Sequence, residues 1–581
     1  MKVLLLHPED QLSRRAASGQ WDLVVDCGRA PVSTYSEWGR RAGCRVISLY
    51  DYALEVDDLY RTRELLQYGM GRVVDRLGID WWDVLSLHLA SQLQQFMLVH
   101  RLASELPRNC ELYSSRPSEL AKALQRLCGG PLVNLESGPA SVLRMVRHYA
   151  ESFSTLDAAQ VIQVLQDKFD SKHTLRRRLA AGKFGSRNPV VLLPTAYVSV
   201  SRTAMSYATM LPDTQFLLVC ARRSGELKSL PRNVRMVSLD PYFAPTAASE
   251  TADLLERWSA LRARLIRASA EFQSAEAVGV LERIPSLIRW GMSVRSAWDQ
   301  VFQSENVVGC LCADDSNPYS RIPLILAARN DIPALACHHG ALDMWMAIKE
   351  PHADFYLAKG EMERDYLVRA CRVAPRKIIL GAPAALSPSS METPLSRGNR
   401  PWLVFFSEPY HAAAFRTDEV YRELLPRLSA LASACGLQLV FKLHPFESVE
   451  GHWRVLRRHL PKSKTSQIRV IAGAPSEELW HKTRFALTGQ SSVVVDCTHR
   501  GIPVFLCAWL RDSYTGYVQQ YARFGIGQEL DSAEQIADIP SLLQSQAAVL
   551  PARNTLHRAI DPNTLRELLC GTSVLPVAAQ G

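Results

Sequence analysis

The stretch "LVFKLHPFESVEGH", residues 439–452, begins as an apolar run and stops at a lysine, a histidine and a proline. The run reads as a buried strand, and two readings of its end stand open. Proline donates nothing to a ladder and charged residues mark an exit from the core, so the stretch ends in a simple turn. In the other reading, Lys442 and His444 stand at the carboxyl end of a parallel strand, where open α/β sheets bind ligands. The second reading requires strands that alternate with helices on both sides of the stretch.

That alternation runs almost throughout the chain. Around the opening stretch, block 401–581 gives "PWLVFFSEP", the helix "EVYRELLPRLSALASACG", "IRVIAG", "EELWHKT", "FALTGQSS", the helix "VVVDCTHRG", "IPVFLCA" and a closing helix in "LHRAIDPNTLRELLCG". Block 188–383 opens with "PVVLLPTAYVSVSRTAMSYATML", read as a strand, a loop carrying Ser199, Ser201 and Thr203, and a helix. It continues through "QFLLVCA", "VRMVSLD", "VVGCLCADD", "PALACHHG", "DFYLAKG" and "KIILGAP", enough for one Rossmann-like sheet. Block 1–145 carries "KVLLLH", "WDLVVDCG", "CRVISLYD", "WDVLSLHL" and "PLVNLES" as strands, with helices such as "SELAKALQRLCG" between them. Residues 146–187 read as a helical basic connector, and 384–400, rich in Ser and Pro, as a linker.

Bulk properties agree with such a chain. At 581 residues it is too long for one core, and roughly 100–200 residues per domain suggests about three domains. Hydrophobic residues make up 47% and charged residues 22%, as in ordinary globular proteins. The start, "MKVLLLHPEDQLSRR", reads as a first strand and not as a signal peptide, because the apolar run breaks at His7. No apolar stretch approaches the roughly 18 residues that span a bilayer. A cytoplasmic protein is expected; the basic run "KHTLRRRLAAGKFGSR", residues 172–187, reads either as a solvated helix end and linker or as a peripheral contact to lipid headgroups of the inner membrane. The thirteen cysteines include no CxxC pair and read as buried free thiols, so no zinc site is expected. The net charge of +9 comes with no recognisable nucleic-acid motif, so nucleic acid is not an expected partner.

Three loops in the last block lie at strand carboxyl ends: "SEPYH" from 407, "KLHPFE" from 442 and "TGQSS" from 488. Neighbouring carboxyl ends converge on one crevice. In the third loop Thr488 and Gly489 end a strand, and Ser491 or Ser492 can cap the following helix and leave backbone N–H groups facing an anion. Paired serines also cap helices that bind nothing. His444 and the serine loop, about 45 residues apart, would approach one phosphate from two sides.

The pattern K-x-H-P at Lys442 to Pro445, followed by S-S-x-x-x-D-x-x-x-x-x-x-P from Ser491 to Pro503, resembles GT-B transferases that use cytidine-activated donors. It is similar to the HP and serine motifs of bacterial sialyl-, polysialyl- and Kdo-transferases, and to the CDP-glycerol glycerophosphotransferases of teichoic acid synthesis. The resemblance covers residues 400–510 best and says nothing of the first 145. It implies an α/β fold of two Rossmann-like domains in GT-B arrangement, 188–383 on the acceptor side and 401–581 on the donor side, to which the strand–helix alternation itself adds an N-terminal α/β domain at 1–145. The resemblance further implies that His444 contacts the donor phosphate and that Ser491 and Ser492 bind phosphate oxygens, with Lys442, Pro445 and Gly489 in the same nucleotide-binding motifs. Asp496 either orients the serine loop or is a solvated helix residue. Glu408 and Tyr410 either meet the ribose or base or form an exposed turn.

GT-B enzymes draw catalytic residues from the amino-side domain, and two strand ends there carry candidates. "CADDSNPYSR" presents Asp314 and Asp315, and a carboxylate could take a proton from an acceptor hydroxyl. The CMP-sialic acid enzymes follow an acidic pair with glycine, whereas Ser316 follows here. "ACHHGALD" presents His338, His339 and Gly340, in the manner of the histidine-glycine loop of the teichoic acid enzymes, which makes His339 the rival base. Glu136 in "VNLESGP" is a weaker third. The aspartates lack the D-x-D spacing of metal-dependent transferases, so no metal and no cofactor beyond the donor are expected. The reading is a nucleotide-sugar glycosyltransferase, with a CMP-sugar donor and a glycan or lipid-linked glycan acceptor. A CDP-glycerol or CDP-ribitol phosphotransferase, a sugar-nucleotide epimerase and a non-catalytic assembly scaffold are the alternatives.

Overall fold

Strand–helix alternation resolves, in the computed structural model, into three all-parallel sheets flanked by helices. The structure describes residues 1–6, 18–27, 43–49, 56–114, 118–135, 188–222, 225–227, 229–244, 246–340, 342, 344–383, 400–408, 417–444, 447–489, 491–510, 521, 523–545 and 553–571. The connector 146–187, the linker at 384–399, Glu136, Tyr410 and Pro445 lie outside the described residues.

The first sheet is built from β1 (Lys2–Leu6), β2 (Leu23–Asp26), β3 (Arg45–Ser48), β4 (Glu111–Ser114) and β5 (Leu132–Asn134), in the order β3-β2-β1-β4-β5. The second holds β6 (Val190–Thr195), β7 (Phe216–Cys220), β8 (Val234–Ser238), β9 (Val307–Cys312), β10 (Ala334–Ala336), β11 (Phe355–Ala358) and β12 (Ile378–Leu380), in the order β12-β11-β10-β9-β6-β7-β8. The third holds β13 (Trp402–Phe406), β14 (Gln438–Lys442), β15 (Arg469–Ile471), β16 (Thr483–Thr488), β17 (Val504–Cys507) and β18 (Gln528–Leu530), in the order β15-β14-β13-β16-β17-β18.

All three sheets share one topology: the chain steps outward for three strands, then returns to the far side of the first. The strand order therefore reverses between β1 and β4, between β6 and β9, and between β13 and β16, the places where doubly wound sheets open a crevice. Helices covering both faces explain the strand composition. Every residue of β6 and of β13 is buried, so these strands read as unbroken apolar runs instead of alternating ones.

Two stretches depart from their sequence reading. "WDVLSLHL" lies inside the helix Trp81–Glu105, and the strand between β1 and β5 is instead "ELYS". Residues 81–87 of that helix are all buried, and a helix enclosed on every side shows no 3.6-residue period to separate it from a strand. Ser199, Ser201 and Thr203 likewise lie on the helix Val198–Ala208 and not on a loop.

By contacts, the described residues fall into two compact units. One takes its residues from Met1–Val56, Gln94–Leu165 and Met391–Pro551 and contains the first and third sheets. The other takes its residues from Asp57–Leu93, Gln166–Ser390 and Ala552–Gly581 and contains the second sheet. Segments that the sequence reading placed in the first and last blocks thus pack around the second sheet. Asp75 accepts from Arg295 at 2.9 Å, Asp83 pairs with Arg321 at 2.7 Å, and Trp82 stacks on Trp258 at 6.0 Å. The closing helix Pro562–Cys570 buries Leu565 and Leu569 in the same core as Val191 and Leu311. Gly309 lets it approach, since a Cβ there would come 2.0 Å from the Leu569 carbonyl oxygen.

Candidate functional site

The third sheet places the three loops named from the sequence side by side. Phe406 pairs with Lys442 on one flank and Thr488 on the other, so the loops leave three adjacent strands at one level, astride the β13/β16 reversal. Glu447, four per cent exposed, ties two of them together: its carboxylate accepts from the Ser407 hydroxyl and from His444 N at 3.1 Å. The His444 carbonyl accepts from Glu447 N at 3.0 Å, which closes the turn. Glu408 ties the third, accepting from Thr488 Oγ1 at 2.9 Å. A Cβ on Gly489 would sit 3.1 Å from Glu408 Oε1, so glycine keeps these two loops in close approach.

Within this frame the residues named from the sequence differ in availability. Lys442 is buried and donates to the Leu443 carbonyl at 2.7 Å, and burial, opposed by Glu447, lowers its pKa. His444 is half-buried at the mouth of the loop. Ser491 Oγ accepts from Val493 N at 3.3 Å, while the exposed Ser492 makes no side-chain capping bond. The helix that follows, Val493–His499, is only seven residues long. Asp496 is exposed on it and lies 3.9 Å from Arg500.

The second sheet brings the catalytic candidates onto adjacent strand ends. Cys312 of β9 pairs with Ala336 of β10, so Asp314 and His338 follow two residues later, side by side. Asp315 is fully buried and committed to an ion pair with Lys349, with Arg321 4.0 Å away. Arg321 in turn grips Asp83 through bonds of 2.7, 2.8 and 3.2 Å, and His352 reaches the same carboxylate at 2.7 Å. Burial pushes the Asp83 carboxyl up, but Arg321 and His352 outweigh it and hold it at about 2.

Asp314 accepts from Ser316 N at 2.9 Å, Ser316 Oγ at 2.5 Å and Asn317 Nδ2 at 3.3 Å. The helix Pro318–Arg329 that follows is capped by Asn317, which accepts from Tyr319 N at 3.1 Å. Burial raises the Asp314 carboxyl, yet His338, His339, Ser316 and Lys349 together bring it below its ordinary value, so it is ionised near neutrality. The rings of His338 and His339 lie 4.8 Å apart. Burial, reinforced by His339, lowers His338 to about 3. Burial also lowers His339, with Asp314 pulling the other way and Lys359 adding to the decrease. Both imidazoles are therefore neutral at pH 7, and His339 Nδ1 has no hydrogen-bond partner. Lys359 fixes the loop by donating to the Gly340 carbonyl at 2.7 Å and to Glu363 at 2.5 Å.

The chemistry that this array supports is proton abstraction by a neutral histidine next to an ionised carboxylate. A carboxylate with a lowered pKa and its oxygens already bonded is a poor base, and one locked to lysine is poorer. Sequence reading missed Ser407, Glu447, Arg321, Lys349 and Lys359. Glu447 left a trace, standing three residues after His444 where its carboxylate can cap the turn; Lys349 left none. Among the described residues, no group of three or more His, Cys, Asp or Glu is placed to hold a metal, and no helix is long and apolar enough to cross a membrane.

No family model and no curated protein matches the chain. Solved structures with a similar course include the UDP-GlcNAc 2-epimerase of Methanocaldococcus jannaschii (9% identity, TM-score 0.38, 63% of this chain and 95% of that one). Others are the calicheamicin glycosyltransferase CalG4 (13%, 0.36, 66% and 94%) and the wall teichoic acid polymerase TagF (12%, 0.35, 75% and 94%). Likenesses this loose leave the functional reading to the residues themselves.

Proposed function

We propose that the protein is a GT-B-type transferase that uses a nucleotide-activated donor, most simply a CMP-sugar, to extend a glycan or lipid-linked glycan. The observation that carries the reading is the neutral His339 beside the ionised Asp314 at the carboxyl edge of a doubly wound sheet. In this mechanism the acceptor hydroxyl gives its proton to the His339 imidazole as it attacks the donor carbon, and Asp314 stabilises the imidazolium that forms. His444, Gly489, Ser491 and Ser492 hold the nucleotide phosphate, and the bond from the sugar carbon to its oxygen breaks so that CMP leaves. Glu447 and Ser407 position His444 without touching the donor.

One observation favours a second reading within the same class. With Asp315 locked to Lys349, the histidine-glycine loop is the better base, and that is the feature shared with the CDP-glycerol phosphotransferases. There the same hydroxyl would attack phosphorus instead of a sugar carbon. Product analysis separates them: the purified chain is incubated with CMP-sugars and with CDP-glycerol over a panel of glycan acceptors. Release of CMP with a lengthened glycan supports either transfer, and the mass added (a sugar or a phosphoglycerol) chooses between them. An epimerised sugar nucleotide formed without acceptor, or no turnover of any donor, would sink both.

A further inference from the structure

A second recognition element stands on the same edge of the second sheet, one strand beyond the reversal. Arg222 follows β7, Tyr197 follows β6, and Tyr319 lies in the first turn of the helix after β9. Those three strands are consecutive in the sheet, so the arginine reaches across the crevice that opens between β6 and β9. Its guanidinium carbon lies 5.2 Å from the centre of the Tyr197 ring and 5.1 Å from that of Tyr319. Trp290 braces Tyr319 edge-on at 5.3 Å.

A guanidinium clamped by two aromatic faces is already oriented. What it lacks is an anion. It carries five N–H donors, yet among the described residues the hydrogen bond it makes runs from Nη1 to the Tyr197 hydroxyl at 3.1 Å, and Nε is enclosed with no acceptor. Among the described residues no carboxylate pairs with it. That contrasts with Arg295 and Arg321 of the same unit, each bound to aspartate within 3 Å. A structural arginine is built with its counter-ion; a half-buried one held flat at a crevice without one is built to receive it.

We infer that Arg222, clamped by Tyr197 and Tyr319, binds an oxyanion carried by the acceptor. Resting on the transferase reading, this makes the acceptor an anionic glycan: the arginine takes the charged group while the hydroxyl is presented to His339 on the far side of β9. The oxyanion comes either from a phosphate, as on a lipid-linked primer, or from the carboxylate of an acidic sugar.

Calorimetric titration of the full chain with glycerol 1-phosphate and with glucuronate tests both sources. Wild type is expected to bind one of them, Arg222→Gln to weaken that binding at least tenfold with an unchanged Tm, and Arg222→Lys to weaken it less. His444→Ala is expected to leave it unaltered. Failure of wild type to bind either anion overturns the inference, and so does equal binding by Arg222→Gln. Phosphate binding that vanishes in His444→Ala but survives in Arg222→Gln overturns it as well. A parallel CMP titration tests the donor reading separately: loss of CMP binding with anion binding retained would sink that reading and leave this one standing.

Discussion

Single residues carry the most direct tests. If His339 is the base, His339→Ala lowers turnover by about 10²–10⁴-fold, the usual yield of general base catalysis, while CMP still raises Tm. The pH profile follows from direction alone. A base works deprotonated, and burial holds the His339 pKa below its ordinary 6.5, so the acidic limb of kcat falls below pH 6.5. Asp314 is the charge that pulls that pKa upward, so Asp314→Asn moves the limb lower still; a limb that stays put or climbs would remove the carboxylate from the base's surroundings. Asp83 supplies a stability test. Its folded pKa of about 2, against an ordinary 3.8, is a depressed one. It therefore contributes roughly 2.5 kcal/mol that is fully present above the unfolded value and is lost as pH falls from about 4 through 2. Asp83→Asn should flatten the wild-type decline in urea midpoint across that window. The strand ends at 314, 338 and 442–444 were legible as apolar runs that stop at polar residues. Which of those side chains were free was not legible, because Asp315 meets its lysine 34 residues later and Lys442 turns back on its own loop.

At the scale of elements, legibility followed burial. Among the described residues, the strands of the second and third sheets appear where apolar runs sit between helical patterns, because both faces are covered. The exceptions are β18, whose Gln-Glu-Leu carries a single apolar residue, and the enclosed part of the helix Trp81–Glu105, whose pattern is that of a strand. Packing of the closing helix on β9 was invisible, since it depends on an absent side chain. Gly309 faces the Leu569 carbonyl, a backbone atom that can move only with its helix. Gly309→Ala should therefore destabilise the chain by about 1–3 kcal/mol, the usual cost of forcing extra volume into a packed core. Equilibrium urea unfolding reads this as a lower midpoint, and an unchanged midpoint would mean that the helix does not seat there.

For the whole molecule, the order of sheets along the chain differs from the order of packing. Alternation counts strands but is silent on which segment rejoins which core, so a linear division into three blocks separates 57–93 and 553–571 from the sheet they complete. The second unit is finished only when the end of the chain returns to it. Ile560, Leu565 and Leu569 are buried there, the last two completely. At about 1.5–3 kcal/mol for each buried aliphatic side chain, the three contribute roughly 5–9 kcal/mol, against a typical domain stability of about 5–15. A chain stopped after Pro551 should accordingly lose the second unit. Limited proteolysis with mass mapping would then show cuts spread through 190–383 while 438–507 stays protected, and CMP would still shift the melting of what remains. Protection of 190–383 equal to that of the full chain would mean that the second sheet closes its core without the returning helix, and that the division drawn from contacts does not describe a folding unit.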